Sequence, residues 1–432
     1  MVRKLLFVVV LGLVGSGLGV PALARSSRVD IDAVRNWNGL AVAAVRATRA
    51  TDADAARWYA MVNVAMYDAV NGIASLRARP SRAPALVPGR GPRDGDEQAA
   101  AVAAAHAVLV SLDTARAGDY DAALAGDLAR LGGGRGVTSG ADWGRRVGER
   151  VVAARADDGS TPVETQPAGA GPGVFRAAWP GVQYRHVRPF AVADPSRYVP
   201  GPPPALDSLT YAAAFAEVAI LGNAALPAPG LLATFQFWSL PAGSDQPPGE
   251  WLRIALTVAG DRRLPLTEQV RLTALLTMAL ADTTVTTVAT KFAYRHWRPT
   301  TAIREADTDG NPLTTADPAW TARAGGVGGS PEYVSGHSSY SGAGATVLQG
   351  FFCTDAIPFS LTTDSAPAGE PRRYPGFSAA AAEAGRSRVF GGQHFEFSNQ
   401  AGLEIGRAVA GGVLAKALLR DTGPTHFGAC PR

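Results

Sequence analysis

Almost every apolar segment in this sequence repeats with the period of an α-helix, whereas the alternating pattern of a β-strand is nearly absent. In one segment, Trp58, Met61, Ala65 and Ala69 lie three or four positions apart, which places them on one face of a helix. Segments of this kind predict helices over residues 32–48, 52–72, 96–112, 115–131, 139–157, 208–222, 228–239, 248–260, 265–296, 338–352, 377–390 and 396–419. Because helices with one apolar face pack against one another, the sequence predicts an all-α fold of helical bundles.

Two long stretches rich in proline and glycine interrupt this pattern, at residues 74–94 and 158–206. The second also contains several aromatic residues, which plain linkers lack. It therefore predicts an ordered loop that packs across the helices and covers a site. We expect one continuous domain, with an N-terminal half over residues 25–206 and a catalytic C-terminal half over residues 207–432.

The N-terminus has the features of a secretory signal peptide. Arg3 and Lys4 precede an apolar run over residues 5–20, and Ala22-Leu23-Ala24 has the small-x-small pattern of a cleavage site. The run is short and rich in glycine for the alternative, a membrane anchor. We predict a secreted protein cleaved after Ala24, with no further segment that is long and apolar enough to cross a membrane.

Charge and cysteine content narrow the possible partners. Removal of residues 1–24 would leave 39 basic and 37 acidic side chains, which is not the large positive excess typical of a nucleic-acid-binding protein.

Beyond the signal peptide the only lysines in the sequence are Lys291 and Lys416. Position 291 therefore either needs a compact charge or has a lysine by chance. In an oxidising compartment Cys353 and Cys430 favour a disulfide, and two buried thiols are the alternative.

Two cations mark the first candidate for chemistry. Lys291 and Arg298 are seven residues apart, nearly two helical turns, so both project from one face of a helix. Two buried cations repel each other unless an anion lies between them. The alternative is that each pairs with a separate carboxylate, such as Asp282 or Glu305.

Two further clusters follow along the chain. Ser335-Gly336-His337 precedes a helical segment, so Ser335 caps it and the first N–H groups face a ligand that Gly336 allows to approach closely. Arg388 and His394 flank Gly391-Gly392, which end a helix and let the chain turn. Three cations, a helix N-terminus and two histidines are the groups that hold a multiply charged tetrahedral anion and move its protons.

The set Lys-x6-Arg-Pro, Ser-Gly-His and Ser-Arg-x5-His resembles the three-part signature of the type 2 phosphatidic acid phosphatase and vanadium-dependent haloperoxidase superfamily. Asp282, nine residues before Lys291, is similar to the haloperoxidases, and residues 57–62 and 66–71 resemble secreted bacterial members. The resemblance covers most of the chain beyond the signal peptide.

The resemblance implies a role for each motif residue. It implies that vanadate or phosphate oxygens are bound by Lys291, Arg298, Ser335, Gly336 and Arg388. His394 would ligate vanadium, or become phosphorylated in a phosphatase, and His337 would be the acid–base group. Ser330 would lie where haloperoxidases carry the residue that shapes halide preference, and Asp282 would support the site.

Three positions, Val334, Ser398 and His296, depart from the family pattern. Val334 replaces the usual proline before Ser-Gly-His, and Ser398 replaces the aspartate that orients the second histidine in phosphatases. Without that carboxylate we expect a less basic His394, which disfavours phosphohistidine chemistry. Glu396 has the wrong direction to substitute for it. His296 is additional, and we expect a partly exposed structural histidine or a second proton group.

The sequence therefore predicts a vanadate-dependent haloperoxidase that oxidises halide with hydrogen peroxide and modifies a small organic substrate. The alternatives are a secreted acid phosphatase and a catalytically silent anion-binding relative. Nucleic acid and membrane are not expected partners.

Overall fold

The computed structural model describes residues 31–76, 82–366 and 371–419, which are mainly helical. The predicted signal peptide and Cys430 lie outside the described residues. The α-helices are α1 (Ala33–Thr48), α2 (Asp52–Ala74), α3 (Glu97–Leu112), α4 (Ala117–Arg130), α5 (Arg135–Ala154), α6 (Leu209–Leu221), α7 (Pro229–Phe237), α8 (Gln246–Asp261), α9 (Leu266–Tyr294), α10 (Pro299–Arg304), α11 (Gly336–Phe352), α12 (Phe377–Phe390) and α13 (Glu396–Lys416). Two antiparallel pairs of short strands complete it: β1 (Thr165–Gln166) with β2 (Trp179–Pro180), and β3 (Phe359–Leu361) with β4 (Arg372–Tyr374).

The all-α prediction is confirmed, and each predicted segment corresponds to one helix within a few residues of its ends. The sequence analysis missed α10, which begins shortly after the end of the predicted segment 265–296. This helix has six residues, too few to show an apolar period, and it begins with Pro299, whose fixed φ suits a first helical position.

Helix α9 lies at the centre and packs against α2, α8, α11 and α13. It is the one helix among the described residues that is long and apolar enough to cross a membrane, and 94% of that apolar window is buried inside the protein. The expectation that no such segment exists is therefore wrong by length and composition. Threonines make this helix suitable for a protein interior, because the hydroxyls of Thr277, Thr284 and Thr290 donate to carbonyls one turn earlier.

Helices α11 and α13 approach closely, which brings two motifs together. A Cβ on Gly342 would lie 2.2 Å from the carbonyl oxygen of Leu403, so this crossing requires glycine. The same contact lets Ser335 N–H donate to the carbonyl of Ser398 at 3.3 Å. The start of α11 therefore lies beside the start of α13.

The long loop over residues 158–206 is ordered and packed on the helices, as predicted. Phe175, Trp179 and Tyr184 are buried in an apolar cluster with Val285 and Val288 of α9. Its chain is fixed by Asp282, whose carboxylate accepts the backbone N–H groups of three consecutive residues, beginning with Phe190, at 2.6, 2.8 and 2.9 Å. Asp282 therefore anchors the loop over residues 158–206.

Cys353, at the end of α11, is disulfide-bonded. The free-thiol alternative is thus excluded for this residue.

Candidate active site

Five helix ends meet at one buried point, and each contributes a residue of the predicted set. Lys291 lies in the last turn of α9, Arg298 precedes α10, Ser335 precedes α11, Arg388 lies in the last turn of α12 and His394 precedes α13. We call this group the cradle. The cradle consists of Lys291, Arg298, Ser335, Gly336, His337, Arg388 and His394.

Lys291 and Arg298 are buried and held mainly by backbone oxygens. The ammonium of Lys291 donates to the carbonyl of Pro331. The guanidinium of Arg298 donates to the carbonyls of Ser330 and Gln393, each at 2.8 Å. Such contacts fix where the cations lie but leave their charge largely uncompensated.

The two carboxylates considered as separate partners are engaged elsewhere. Asp282 binds the loop backbone, and Glu305 forms an ion pair with Arg176. The interpretation that Lys291 and Arg298 pair with them is therefore wrong, and the interpretation that an anion relieves their repulsion remains.

Arg388 gives direct evidence of unmet hydrogen-bonding capacity. Its Nε and Nη1 atoms are buried and have no hydrogen-bond partner, and its guanidinium lies 4.9 Å from the ring centre of Phe235. A buried N–H without an acceptor costs about 1–3 kcal/mol. An oxyanion in the cradle would supply the missing acceptor.

The N-terminus of α11 is open toward the cradle. The Ser335 oxygen accepts from the backbone N–H of Ser338, so it caps the helix as predicted, and it lies 2.8 Å from the Ser338 hydroxyl. A Cβ on Gly336 would meet only Asp52 Oδ2, at 3.7 Å. The space in front of this helix end can therefore admit an anion.

His394 is held between a cation and a carboxylate. Its Nε2 lies 3.0 Å from Arg298 Nη1, and its Nδ1 lies 3.0 Å from Oε1 of Glu332. Glu332 is fully buried and also accepts the backbone N–H of Phe395 at 2.9 Å. The prediction that His394 lacks a carboxylate partner is wrong, because a residue from another element fills that place.

Ser398 and Glu396, the two nearby positions considered as partners of His394, make different contacts. Ser398 is buried and its hydroxyl is 3.4 Å from Nδ1 of His394. Glu396 instead pairs with Arg386 and accepts from Asn399, so the expectation that it does not serve His394 is confirmed.

His337 lies at the first turn of α11, and its Nε2 is 3.0 Å from the carbonyl oxygen of Ser239. A carbonyl only accepts, so Nε2 carries the proton and Nδ1 is the nitrogen free to take one. Burial, with the charge of Arg388, holds the pKa of His337 well below its usual value. The imidazole is therefore neutral and able to act as a base.

His296 is buried, not partly exposed as expected. Its ring packs edge-on against Phe395 and Phe397, and its Nδ1 lies 3.5 Å from Oε2 of Glu332. The carboxylate of Glu332 therefore has a histidine on each side, His394 at Oε1 and His296 at Oε2.

The electrostatics of the cradle favour a bound anion. Burial lowers the pKa of Arg298 to about 10 and, with Arg298 beside it, that of Arg388 to about 9. Burial and Arg298 likewise hold the pKa of Lys291 well below its usual value. Burial raises the pKa of Glu332, but its contacts with His296 and His394 outweigh this and keep the carboxyl ionised. The cradle thus brings three buried cations together, and the buried carboxylate of Glu332 lies beside it.

A cavity of about 480 Å³ leads to the cradle from the loop over residues 158–206. Trp179 and Tyr184 of that loop line it, and Lys291, Ser330 and Gly336 line its inner part. The expectation that the loop covers a site is consistent with this cavity. The arrangement gives a small molecule a partly apolar path to the cradle.

Glu332 and Asp52 were missed by the sequence analysis. Glu332 stands three residues before Ser335, and this proximity to the Ser-Gly-His motif was the only available signal. Asp52, the first residue of α2, comes from the N-terminal half and lines the cavity near Gly336. Burial raises the pKa of its carboxyl, although Lys291 opposes the shift.

The region that contains the cradle matches one known family model. A family model described as the VCPO second helical-bundle domain matches residues 271–420, a range that contains the whole cradle. A comparison with curated proteins gives no match.

The fold is similar to that of three solved structures. One is described as the first bacterial vanadium-dependent iodoperoxidase, with a TM-score of 0.76 and 21% identity over 91% of this chain and 99% of that chain. A holo-type bacterial vanadium-dependent chloroperoxidase has a TM-score of 0.62 and 17% identity, over 84% of this chain and 92% of its own. The apo-type chloroperoxidase also has a TM-score of 0.62, with 16% identity over 83% and 91%. The chain therefore has the fold of these bacterial vanadium-dependent peroxidases, and its residues 271–420 match the model of the VCPO second helical-bundle domain.

Proposed function

We propose that this protein is a vanadate-dependent haloperoxidase, which oxidises a halide with hydrogen peroxide to a hypohalite-like species that halogenates or oxidises a small organic substrate. The observation that carries the proposal is the cradle, in which three buried cations and a helix N-terminus converge beside His394. The similarity in fold to iodo- and chloroperoxidases supports it.

The residues of the cradle fit a tetrahedral oxyanion such as vanadate. Arg388 has two buried nitrogens in need of an acceptor, and the space before Gly336 is open. Among the described residues, no group of three or more His, Cys, Asp or Glu side chains forms a cage for a metal cation. Vanadate needs no such cage, because hydrogen bonds to its oxygens and one histidine suffice.

Each residue then has a defined task. Lys291, Arg298 and Arg388 would bind the oxygens by charge-assisted hydrogen bonds, together with the Ser335 hydroxyl and the Gly336 N–H. His394 would ligate vanadium through Nε2, the nitrogen that carries no proton beside Arg298. Bound vanadate supplies the Lewis-acidic centre at which hydrogen peroxide is activated toward a halide.

His337 would move the protons of peroxide. Its Nδ1 is unprotonated and the ring is neutral, so it can accept a proton as peroxide enters and return it later. Ser330 lies at the junction of cavity and cradle, where its hydroxyl accepts from Arg298 at 3.3 Å. We therefore place halide selection at Ser330 and the organic substrate in the cavity.

One observation favours the alternative function, an acid phosphatase. Glu332 gives His394 a carboxylate partner, which is the feature that nucleophilic attack on phosphorus requires. In that reaction the Nε2–P bond of His394 forms as the ester P–O bond breaks, and His337 must protonate the leaving alcohol. That step requires a protonated His337, a form that burial and the charge of Arg388 disfavour by lowering the pKa of His337 when no anion is bound.

The two functions are separated by a paired assay on purified protein. We expect peroxide-dependent oxidation of iodide, bromide or chloride only after orthovanadate is added. Hydrolysis of p-nitrophenyl phosphate by the vanadate-free protein, inhibited by vanadate and accompanied by no halide oxidation, would assign it to the phosphatases. Absence of both activities would support the catalytically silent relative.

We also propose that the protein is exported. The N-terminal sequence supports this, and a disulfide at Cys353 is typical of oxidising compartments. N-terminal sequencing of protein from the culture medium tests the cleavage after Ala24.

A further inference from the structure

Glu332 occupies a place that neither the sequence motifs nor the family signature assign. It lies 62 residues from His394 in the sequence, yet its Oε1 is 3.0 Å from Nδ1 of that histidine. Its side chain is fully buried, and the backbone N–H of Phe395, next to His394, also donates to this oxygen. An ionised carboxylate has no proton to donate, so it accepts a hydrogen bond from Nδ1 of His394.

The contacts of His394 agree on one tautomer. On the other side of the ring, Arg298 Nη1 lies 3.0 Å from Nε2. Guanidinium nitrogens only donate, so Nε2 must accept and bears no proton. The ring proton is therefore on Nδ1, directed at Glu332.

We propose that Glu332 is a positioning residue that fixes His394 as the Nδ1–H tautomer and so presents the bare Nε2 to the oxyanion. It takes over, from the segment before α11, the task that an aspartate at position 398 performs in phosphatases. The inference rests on the proposed function in that His394 is the residue that meets the anion.

The backbone N–H of Phe395 fixes Oε1 of Glu332 beside His394, whereas Oε2 has no hydrogen bond. His296 Nδ1 faces Oε2 at 3.5 Å, and Ser398 Oγ donates to the Glu332 carbonyl at 3.2 Å. Partners of this kind, which orient a ligating histidine, change metal affinity or activity about 10- to 100-fold when they are removed. Glu332 should therefore affect anion binding without touching the anion.

The first test is the tautomer of His394 in the purified vanadate-free protein. Long-range ¹H–¹⁵N correlation of the six histidines distinguishes a protonated nitrogen from a bare one, and a His394→Gln spectrum assigns the signal. We expect the proton on Nδ1 in the wild type and a weaker preference for this tautomer in Glu332→Gln, in which a neutral amide replaces the ionised acceptor while Arg298 still faces Nε2. A wild-type signal with the proton on Nε2 would overturn the inference, whatever the variants do.

The second test is equilibrium binding of orthovanadate. We expect Glu332→Gln to bind about 10- to 100-fold more weakly than the wild type. Adding Ser398→Asp to that variant should restore most of the affinity, because position 398 already lies within 3.4 Å of Nδ1. The matched control is Glu396→Gln, which removes a carboxylate from the start of α13 away from His394.

These measurements need no halide or peroxide, so the inference and the proposed function can fail separately. Wild-type protein that binds vanadate but oxidises no halide would contradict the function alone. Wild-type affinity in Glu332→Gln, with His394 unchanged in its spectrum, would contradict the positioning role alone. If Glu332→Gln does not fold, the wild-type tautomer and the Glu332→Gln/Ser398→Asp protein decide the question.

Discussion

Arg298 Nη1 lies 3.0 Å from Nε2 of His394, across 96 positions of the sequence. The two residues come from the start of α10 and the segment before α13, and both are buried. A cation directed at the nitrogen that would meet an oxyanion keeps that nitrogen unprotonated and the region positively charged. The cradle therefore presents an anion with a bare ring nitrogen in a positively charged region.

Lys291→Met should weaken orthovanadate binding about 10- to 100-fold, because it removes one charge-assisted hydrogen bond from the cradle. Isothermal titration measures the change. Lys416→Met is the matched control, since Lys416 is exposed at the end of α13. Equal affinity in the two variants would show that Lys291 does not contact the anion.

His337→Ala should reduce peroxide-dependent turnover by about 10²- to 10⁴-fold, the usual contribution of an acid–base group. Vanadate should remain bound, because the first-turn N–H groups and the cations are unchanged. Steady-state rates and vanadium content per chain are the two measurements. Loss of vanadium in parallel with activity would instead make His337 a binding residue.

Anion affinity should fall as the pH rises. Burial and Arg298 lower the pKa of Lys291 when no anion is present, and a bound anion would raise it again. Anion binding is therefore coupled to the uptake of a proton by Lys291. The affinity for the anion should fall as the pH rises toward the ordinary pKa of lysine. Sulfate is a suitable probe because it does not titrate in this range, and Lys291→Met should flatten the dependence. Affinity that is constant or increases with pH would contradict this linkage.

Asp282→Asn should lower the free energy of unfolding by about 2–4 kcal/mol, because three backbone N–H groups lose an ionised acceptor. The loop over residues 158–206 should also become more sensitive to limited proteolysis. Asp207→Asn, at an exposed position beyond the loop, is the control for urea unfolding. Unchanged stability and unchanged cleavage would mean that Asp282 does not hold the loop.

The sequence predicted the helices well because helical periodicity is local, and it missed α10 because six residues are too few to display it. The motif residues of the cradle were also found from the sequence, since they lie in short motifs at helix ends. The expectation that Lys291 and Arg298 share one face of one helix was wrong, because α9 ends at Tyr294 and Arg298 precedes α10.

Contacts between distant segments were not found from the sequence. Glu332 contacts His394 only because α11 packs against α13. The family pattern instead places the partner of this histidine four residues later in the sequence, at position 398.

The same limit explains two other differences. Asp282 was expected to support the site or pair with a cation, but the direction of its side chain depends on where the loop crosses α9. His296 was expected to be partly exposed, and its burial depends on Phe395 and Phe397 from the start of α13. Neither relationship leaves a pattern in the local sequence.

The central claim is that vanadate bound in the cradle makes this protein a haloperoxidase. The most direct test is a titration of vanadium-free protein with orthovanadate, in which bound vanadium and peroxide-dependent halide oxidation are measured on the same samples. The account predicts activity that rises in proportion to bound vanadium and levels off at one vanadium per chain, and no activity in His394→Ala. Saturation at one vanadium per chain without halide oxidation, or activity that is independent of vanadium, would contradict it.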